Sequence, residues 1–368
     1  DDTVTILAGN GTSYFTPGEV YDIVRLVPRD SDQDGYFDRS IFIADFNGDG
    51  KPDVAAVNNQ RNAISVRLGF GDGILADAIE VAYPSGVAPI SMVAGDFDGD
   101  GITDLITGNF GSLSWLRGQG DGTFHDPVNY SFPTSVFAYV PFELEVGNFN
   151  GDGHSDLAIR LTPFKQTGQY VPRPGLGVLL GHGDGTFQQN DGVLSPFLYL
   201  SDMLGTGGLP ITEYSFGQIA VGDIDRDGYS DVVVSASGNL HVLRGRADGD
   251  LELTDQYGAS GQATEMVLAD LNGDGWLDLV TTISFSVQAR LNGRDGAVGS
   301  PIAMPNSETS VLGDVNGDGR LDLIHNEYPS GVAGRLGRGD GTFEATSRDY
   351  LPLRTLGWLG VGDFDGDG

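Results

Sequence analysis

The chain of 368 residues contains no cysteine, which excludes disulfides and thiolate metal sites. It contains no run of 18 apolar residues, so no segment reads as a membrane-spanning helix, and no leader-peptide pattern is present. Basic residues are scarce: 20 Lys and Arg stand against 52 Asp and Glu, a net charge of −32. Such a field repels nucleic acid and anionic membrane surfaces, which are therefore not expected partners. The five histidines (His125, His154, His182, His241 and His325) are scattered, with no His-Glu-x-x-His pair and no Gly-x-Ser-x-Gly elbow. With no catalytic constellation in view, the expectation is a protein that is not an enzyme.

Glycine and aspartate are plentiful. The 57 glycines imply many tight turns, and 39% apolar content is enough for a large core. One acidic nonapeptide recurs, clearest as Asp96-Phe97-Asp98-Gly99-Asp100-Gly101-Ile102-Thr103-Asp104. Copies begin at Asp45, Asp96, Asn148, Asp223, Asp270, Asp314 and Asp363, so successive starts lie 51, 52, 75, 47, 44 and 49 residues apart. A period near fifty residues marks stacked or radially arrayed units.

Oxygen-bearing side chains at positions one, three and five, with glycine at six, open the loop as they open an EF-hand, where position seven gives a main-chain carbonyl. The end differs, because position nine is Asp and position twelve is Ala56 in the first copy, not Glu. Ligands for a hard cation at positions one, three, five, seven and nine are then Asp45, Asn47, Asp49, Lys51 and Asp53 in the first loop. The second offers Asp96, Asp98, Asp100, Ile102 and Asp104, and the third Asn148, Asn150, Asp152, His154 and Asp156. The fourth offers Asp223, Asp225, Asp227, Tyr229 and Asp231, and the fifth Asp270, Asn272, Asp274, Trp276 and Asp278. Asp314, Asn316, Asp318, Arg320 and Asp322 make the sixth, while Asp363, Asp365 and Asp367 make a partial seventh. An additional acidic stretch, Asp30, Asp32, Asp34 and Asp38, starts only 15 residues before the first loop and reads as an inserted calcium site.

Calcium is therefore the expected cofactor, in six complete loops, one partial loop and one inserted loop. Unfilled, carboxylates about 5 Å apart would repel by about 3 kcal/mol per pair at an effective dielectric near 20, so metal binding is expected to couple to folding. Affinity is expected to follow ligand charge, which ranks the four-carboxylate loops at Asp96 and Asp223 first and the loop at Asn148 last. Loops of this kind in extracellular modules bind at about 10⁻⁴ to 10⁻³ M, above cytosolic free calcium, so an extracellular or cell-surface location is expected.

Short apolar runs such as Ile41-Phe42-Ile43-Ala44 and Val54-Ala55-Ala56-Val57 flank each loop and read as strands. A second signature follows, seen as Gly120-Asp121-Gly122-Thr123-Phe124, Gly183-Asp184-Gly185-Thr186-Phe187 and Gly339-Asp340-Gly341-Thr342-Phe343, and reads as an Asp-Gly turn between strands. Each unit is strand, calcium loop, strand, strand, turn, strand. Seven such four-stranded antiparallel sheets make an all-β, seven-bladed β-propeller. The expected blades span about 41–90, 91–142, 143–217, 218–264, 265–308 and 309–355, and the last is shared between the termini, 356–368 plus 1–27. The inserted loop occupies 28–40, and the whole is expected to be one domain.

The Asp-Phe-Asn-Gly-Asp-Gly-Lys-Pro-Asp type of loop with the following Gly-Asp-Gly-Thr-Phe resembles the FG-GAP and VCBS repeats of integrin α-subunit propellers and many bacterial extracellular proteins. That resemblance implies a seven-bladed propeller with calcium between the first two strands of its blades. It implies no single activity, since such propellers serve in adhesion, in sugar binding and beside polysaccharide-cleaving domains.

Arg67, Arg117, Arg244, Arg290 and Arg335 recur before the Asp-Gly turns and read as charge balance against nearby carboxylates. The long third unit carries Phe164, Lys165, Tyr170, Arg173, Phe197, Tyr199 and Tyr214, which could line a ligand surface or pack between blades. The functional expectation is an extracellular, calcium-stabilised structural or adhesive module whose partners are other protein subunits or extracellular glycans. The incomplete last blade raises assembly into a homopolymeric filament by strand addition. The alternatives are a lectin-like propeller and an accessory domain of a polysaccharide-degrading enzyme.

Overall fold

The computed structural model describes residues 3–9, 15–22, 41–58, 61–83, 89–132, 139–163, 175–190, 193–194, 197–198, 216–307, 309–327, 331–345, 348–351 and 359–364, which form strands and turns without a helix. Apolar runs of four to eight residues broken by Asp-Gly turns favour this outcome, since helices would need longer periodic segments.

Blade one comprises Ile41–Ala44, Asp53–Asn58, Ala63–Arg67 and Ile79–Ala82. Blade two comprises Pro89–Gly95, Asp104–Asn109, Ser112–Leu116 and Val128–Ser131. Blade three comprises Tyr139–Gly147, Asp156–Pro163, Gly175–Leu179 and Phe197–Leu198, with the small hairpin Gln189–Asn190/Val193–Leu194 inserted before its last strand. Blade four comprises Phe216–Gly222, Asp231–Ala236, Asn239–Gly245 and Leu251–Gly258. Blade five comprises Ala263–Ala269, Asp278–Ile283, Ser286–Arg290 and Ile302–Asn306, and blade six Ser310–Gly313, Asp322–Glu327, Gly331–Arg335 and Arg348–Leu351. Each is a four-stranded antiparallel sheet whose strands neighbour one another in chain order. The acidic loops join first to second strands, so they lie at the opposite end of each blade from the hairpins that join second to third.

The core sits between blades. Phe46 and Ile64 of blade one pack with Met92 and Leu105 of blade two. Phe97 and Trp115 pack with Leu144 and Phe187 across the next seam, and Phe149 and Val178 with Ile219 and Val232 across the third. Second strands are covered on both faces, so Val54, Ala55, Ala56 and Val57 are all buried. The outer strand Leu251–Gly258 instead alternates buried or half-buried with exposed residues, as an edge with one wet face should. Burying each large apolar side chain contributes about 1.5–3 kcal/mol, so the blades stabilise one another.

Polar links cross the same seams. Glu143 of blade three accepts from Ile219 N of blade four at 3.0 Å and is paired with the buried Arg160 at 3.0 Å. Ala263 N of blade five donates to Ser235 Oγ of blade four at 2.8 Å.

Six complete blades, not the expected seven, are formed among the described residues. Among the described residues the shared seventh blade is not assembled as a four-stranded sheet. Thr3–Gly9 and Phe15–Asp22 pair antiparallel with each other as a two-stranded sheet. Residues 359–364 carry no strand pairing, so the ladder that would join the two halves is missing among the described residues. These six residues nevertheless run between blades six and one. Leu359 and Val361 pack against Ile324 and Val332, and Phe364 packs against Val54 and Leu75. Phe364 O accepts from Gly73 N of blade one at 2.8 Å, as Phe46 O accepts from Gly122 N of blade two at 3.2 Å and Phe97 O from Gly185 N of blade three at 2.9 Å.

The inserted loop Asp30–Asp38, the partial-loop residues Asp365 and Asp367, and most of the third-blade aromatic cluster lie outside the described residues. The filament expectation rests on the same terminal stretch and has no described counterpart.

Candidate metal centres

Every complete loop folds on its own carboxylates. In the first, Asp45 Oδ1 accepts from Gly48 N at 2.7 Å and Asp49 N at 3.2 Å, while Asp45 Oδ2 accepts from Gly50 N at 2.7 Å. Asn47 Oδ1 accepts from Asp49 N at 2.9 Å, and Asp49 Oδ1 from Lys51 N at 3.0 Å. Side chains at positions one, three and five thus turn inward around a common centre. The wrap needs left-handed backbone at positions four and six, which Gly48 (φ +74°) and Gly50 (φ +80°) supply. In the fourth loop position four is Arg226, held at φ +62°.

The same bonds recur from Asp96 to Gly99 N (2.7 Å), from Asp270 to Gly275 N (2.7 Å) and from Asp314 to Gly317 N (2.9 Å). The position-seven residues Ile102, His154, Tyr229, Trp276 and Arg320 each donate their amide to the carboxylate at position five.

Position nine has a second role that the ligand pattern does not reveal. Asp53 is buried, with Oδ2 accepting from Phe46 N at 2.8 Å and Oδ1 from Gly69 N at 2.7 Å. Asp104, Asp156, Asp231, Asp278 and Asp322 repeat this clamp, fastening the loop's second residue to the end of the third strand. Burial pushes all six carboxyls above the ordinary aspartate value, although the two amide bonds pull the other way. The position-five carboxylates, Asp100 exposed and Asp274 half-buried, are held below it, by the amides of Ile102 and Trp276 first and by Arg117 and Arg294 second.

The donor set fits a hard divalent cation. Carboxylate oxygens of Asp96, Asp98 and Asp104 all lie within 4.8 Å of one another, as do those of Asp223, Asp225 and Asp227. Asn148 Oδ1, at position one of the third loop, is buried without a hydrogen-bond partner, an oxygen that an ion at this place would satisfy. Oxygen-only donors of this kind suit calcium over softer metals.

Position eight of the third and fourth loops, missed from the sequence, ties each to the loop before it. Ser155 Oγ of the third loop donates to Asp96 O of the second at 2.8 Å. Ser230 of the fourth exchanges two bonds with the Asn148 backbone of the third, at 2.8 and 2.9 Å. Arg226 donates to Gly275 O and stacks over Trp276 at 5.1 Å, joining the fourth loop to the fifth.

The recurring arginines divide into two groups. Arg67, Arg290 and Arg335 donate to main-chain carbonyls at Ala76, Gly299 and Glu344. Arg117 and Arg244 reach the acidic loops: Arg117 pairs with Asp98 at 2.5 Å and Asp100 at 2.8 Å, and Arg244 with Asp231 at 2.9 Å and Asp225 at 3.6 Å. Charge balance against the loops is the role that Arg117 and Arg244 take.

Six acidic, self-wrapped loops, each between the first two strands of a four-stranded blade, define a β-propeller built from repeats. The chain belongs to the FG-GAP-like repeat family, whose profile matches residues 45–107, 96–159, 223–281 and 300–368. Integrin alpha-V of Gallus gallus is 25% identical over 197 residues, which is 49% of this chain and 17% of that protein, so this chain spans a small part of that relative. An Agrocybe aegerita lectin, solved for its specific recognition of non-reducing terminal N-acetylglucosamine, has a TM-score of 0.60 at 17% identity, covering 95% of this chain and 88% of the lectin. BBS1N, solved in complex with ARL6DN, has a TM-score of 0.57 at 13% identity, covering 99% and 92%. At these identities the two structures share the fold alone.

Proposed function

We propose that this protein is a calcium-stabilised propeller that works outside the cell as a structural or adhesive module, not as a catalyst. The observation that carries it is the converging carboxylate oxygens of the second and fourth loops, with the orphaned Asn148 Oδ1 in the third loop. An ion in each loop would be held by positions one, three and five and by the position-seven carbonyl, with position nine both ligand and clamp. It would neutralise the crowded carboxylates and tie the first hairpin of each blade. Residues 359–364 are assigned to the inner strand of a seventh blade position, supported by the Phe364–Gly73 bond that matches its counterparts at the next seams. The whole chain is then one ring.

The integrin relative and the acidic surface support a surface-displayed location and protein partners. Glycan binding is a second reading, favoured by Phe285, which is 62% exposed with φ +64°, and by Phe110, 56% exposed, both on second-to-third-strand hairpins. Bulky side chains held in left-handed backbone and left exposed are characteristic of contact sites.

Thermal melting with millimolar calcium and with excess EDTA tests the principal reading. Chelation is expected to lower Tm by more than about 10 °C, since metal bound only by the folded state stabilises it by mass action. An identical melt in both buffers would refute it.

A further inference from the structure

The third loop position and one strand position vary together within this chain. The residue just before the amide that clamps position nine is Leu68, Arg117, Leu180, Arg244, Leu291 and Leu336 in blades one to six. Position three is Asn47, Asp98, Asn150, Asp225, Asn272 and Asn316 in the same order. Aspartate stands at position three only where arginine stands on the strand. Where leucine stands there, it packs under the next blade's turn so closely that a Cβ on Gly122, Gly249 or Gly341 would lie 2.3–2.6 Å from Leu68, Leu180 or Leu291. Arg67, Arg290 and Arg335 lie one residue earlier, and successive strand residues face opposite sides of a sheet. With that single-residue offset they donate to the main-chain carbonyls of Ala76, Gly299 and Glu344.

We propose that Arg117 and Arg244 are resident cations of the second and fourth loops, each matched to the extra carboxylate at position three, and that they compete with the divalent ion. The two loops richest in carboxylates are then not the tightest sites, because Asp98 and Asp225 are already paired. Asp–Arg and Asn–Leu are alternative solutions of equal net charge, and the metal preference of a loop is set by the strand residue as much as by its own ligands. This inference rests on the calcium reading above and refines which loops fill first.

Terbium, a calcium substitute read by tryptophan-sensitised emission, tests it in the full chain carrying Trp276→Phe and Trp358→Phe, which leaves Trp115 as the one tryptophan. The Trp115 indole N–H lies 3.0 Å from Asp104 Oδ2, so Trp115 excites an ion in the second loop. Arg117→Leu, the residue found in blades one, three, five and six, is expected to lower the terbium midpoint by about tenfold, because one competing charge leaves a site of four carboxylates. The double change Asp98→Asn/Arg117→Leu is expected to return the midpoint to within about threefold of its parent. Should Arg117→Leu fail to fold, Arg117→Gln gives the same comparison with polarity kept. An unchanged or raised midpoint on removing the arginine, with emission present, would overturn the competition and leave calcium binding intact. No emission in any variant up to millimolar terbium would overturn both.

Discussion

Asp104→Asn separates the clamp at position nine from its role as a ligand. The Asp104 carboxylate accepts three hydrogen bonds, from Gly118 N at 2.7 Å, Trp115 Nε1 at 3.0 Å and Phe97 N at 3.2 Å. Asparagine presents one acceptor oxygen and one NH₂, so whichever way the amide turns, at least one buried donor faces another donor. A lost hydrogen bond to a charged acceptor costs about 1.5–3 kcal/mol and an unsatisfied buried donor about 1–3 kcal/mol. The native carboxylate already bears a burial penalty, seen in its raised pKa, which offsets part of this. A net loss of about 2–4 kcal/mol is expected. Urea unfolding followed by tryptophan emission, in excess EDTA, measures the clamp with the metal taken away. A loss of similar size in EDTA and in calcium confirms the clamp. A loss confined to calcium, with less than about 0.5 kcal/mol in EDTA, would show that the aspartate acts on the ion alone and refute the reasoning.

The pH dependence has a definite sign. Burial raises the six position-nine carboxyls, so the folded state binds their protons more tightly than the unfolded chain. In EDTA their contribution to stability is therefore greatest at low pH and is lost as pH rises from the ordinary carboxylate value through the raised one. Ion binding needs the charged form, so the calcium-dependent gain in Tm should grow between about pH 4 and pH 6; a gain that is flat or larger at pH 4 would contradict this. Arg226→Gly relieves left-handed backbone but loses the stack on Trp276, whereas Arg226→Ala keeps the strain and loses the stack. The alanine variant should be the less stable of the two by about 1 kcal/mol in urea titration, and equal stabilities would deny the strain. Ser284→Asn/Phe285→Gly suits a hairpin turn in which both residues have positive φ, at +49° and +64°. It should raise stability by about 1 kcal/mol and abolish any glycan binding that Phe285 supports, and retained binding on a glycan array would clear Phe285 of that role.

Much of this architecture was legible because the repeat carries its own punctuation. Asp-Gly pairs mark the turns, and an apolar run such as Val54-Ala55-Ala56-Val57 has the length of a strand and, buried throughout, the composition of one covered on both faces. The loops were legible because their ligand spacing is local: positions one to seven bond to one another within a few residues. Position nine was legible as an acid but not as a clamp, since its partners Gly69 and Gly118 lie 16 and 14 residues downstream, across a strand pair. The seventh blade is where local pattern fails most plainly. Its outer hairpin, Thr3–Gly9 with Phe15–Asp22, forms as the local pattern expects, whereas the ladder to the segment at 359–364 is a pairing across the whole chain that local pattern does not fix.

The arginines show the same limit at its smallest scale. In sequence Arg117 and Arg335 both precede a Gly-containing turn and look equivalent. Counted from the amides that clamp position nine, Gly118 and Gly337, they stand one and two residues away, and a strand's period of two sends one to the acidic loop and the other to the Glu344 carbonyl. Register, not composition, decides which arginine counts as a cation for the loops. A ranking of sites by carboxylate count alone therefore overstates the second and fourth loops, because each added acid there arrives with a base that the count leaves out.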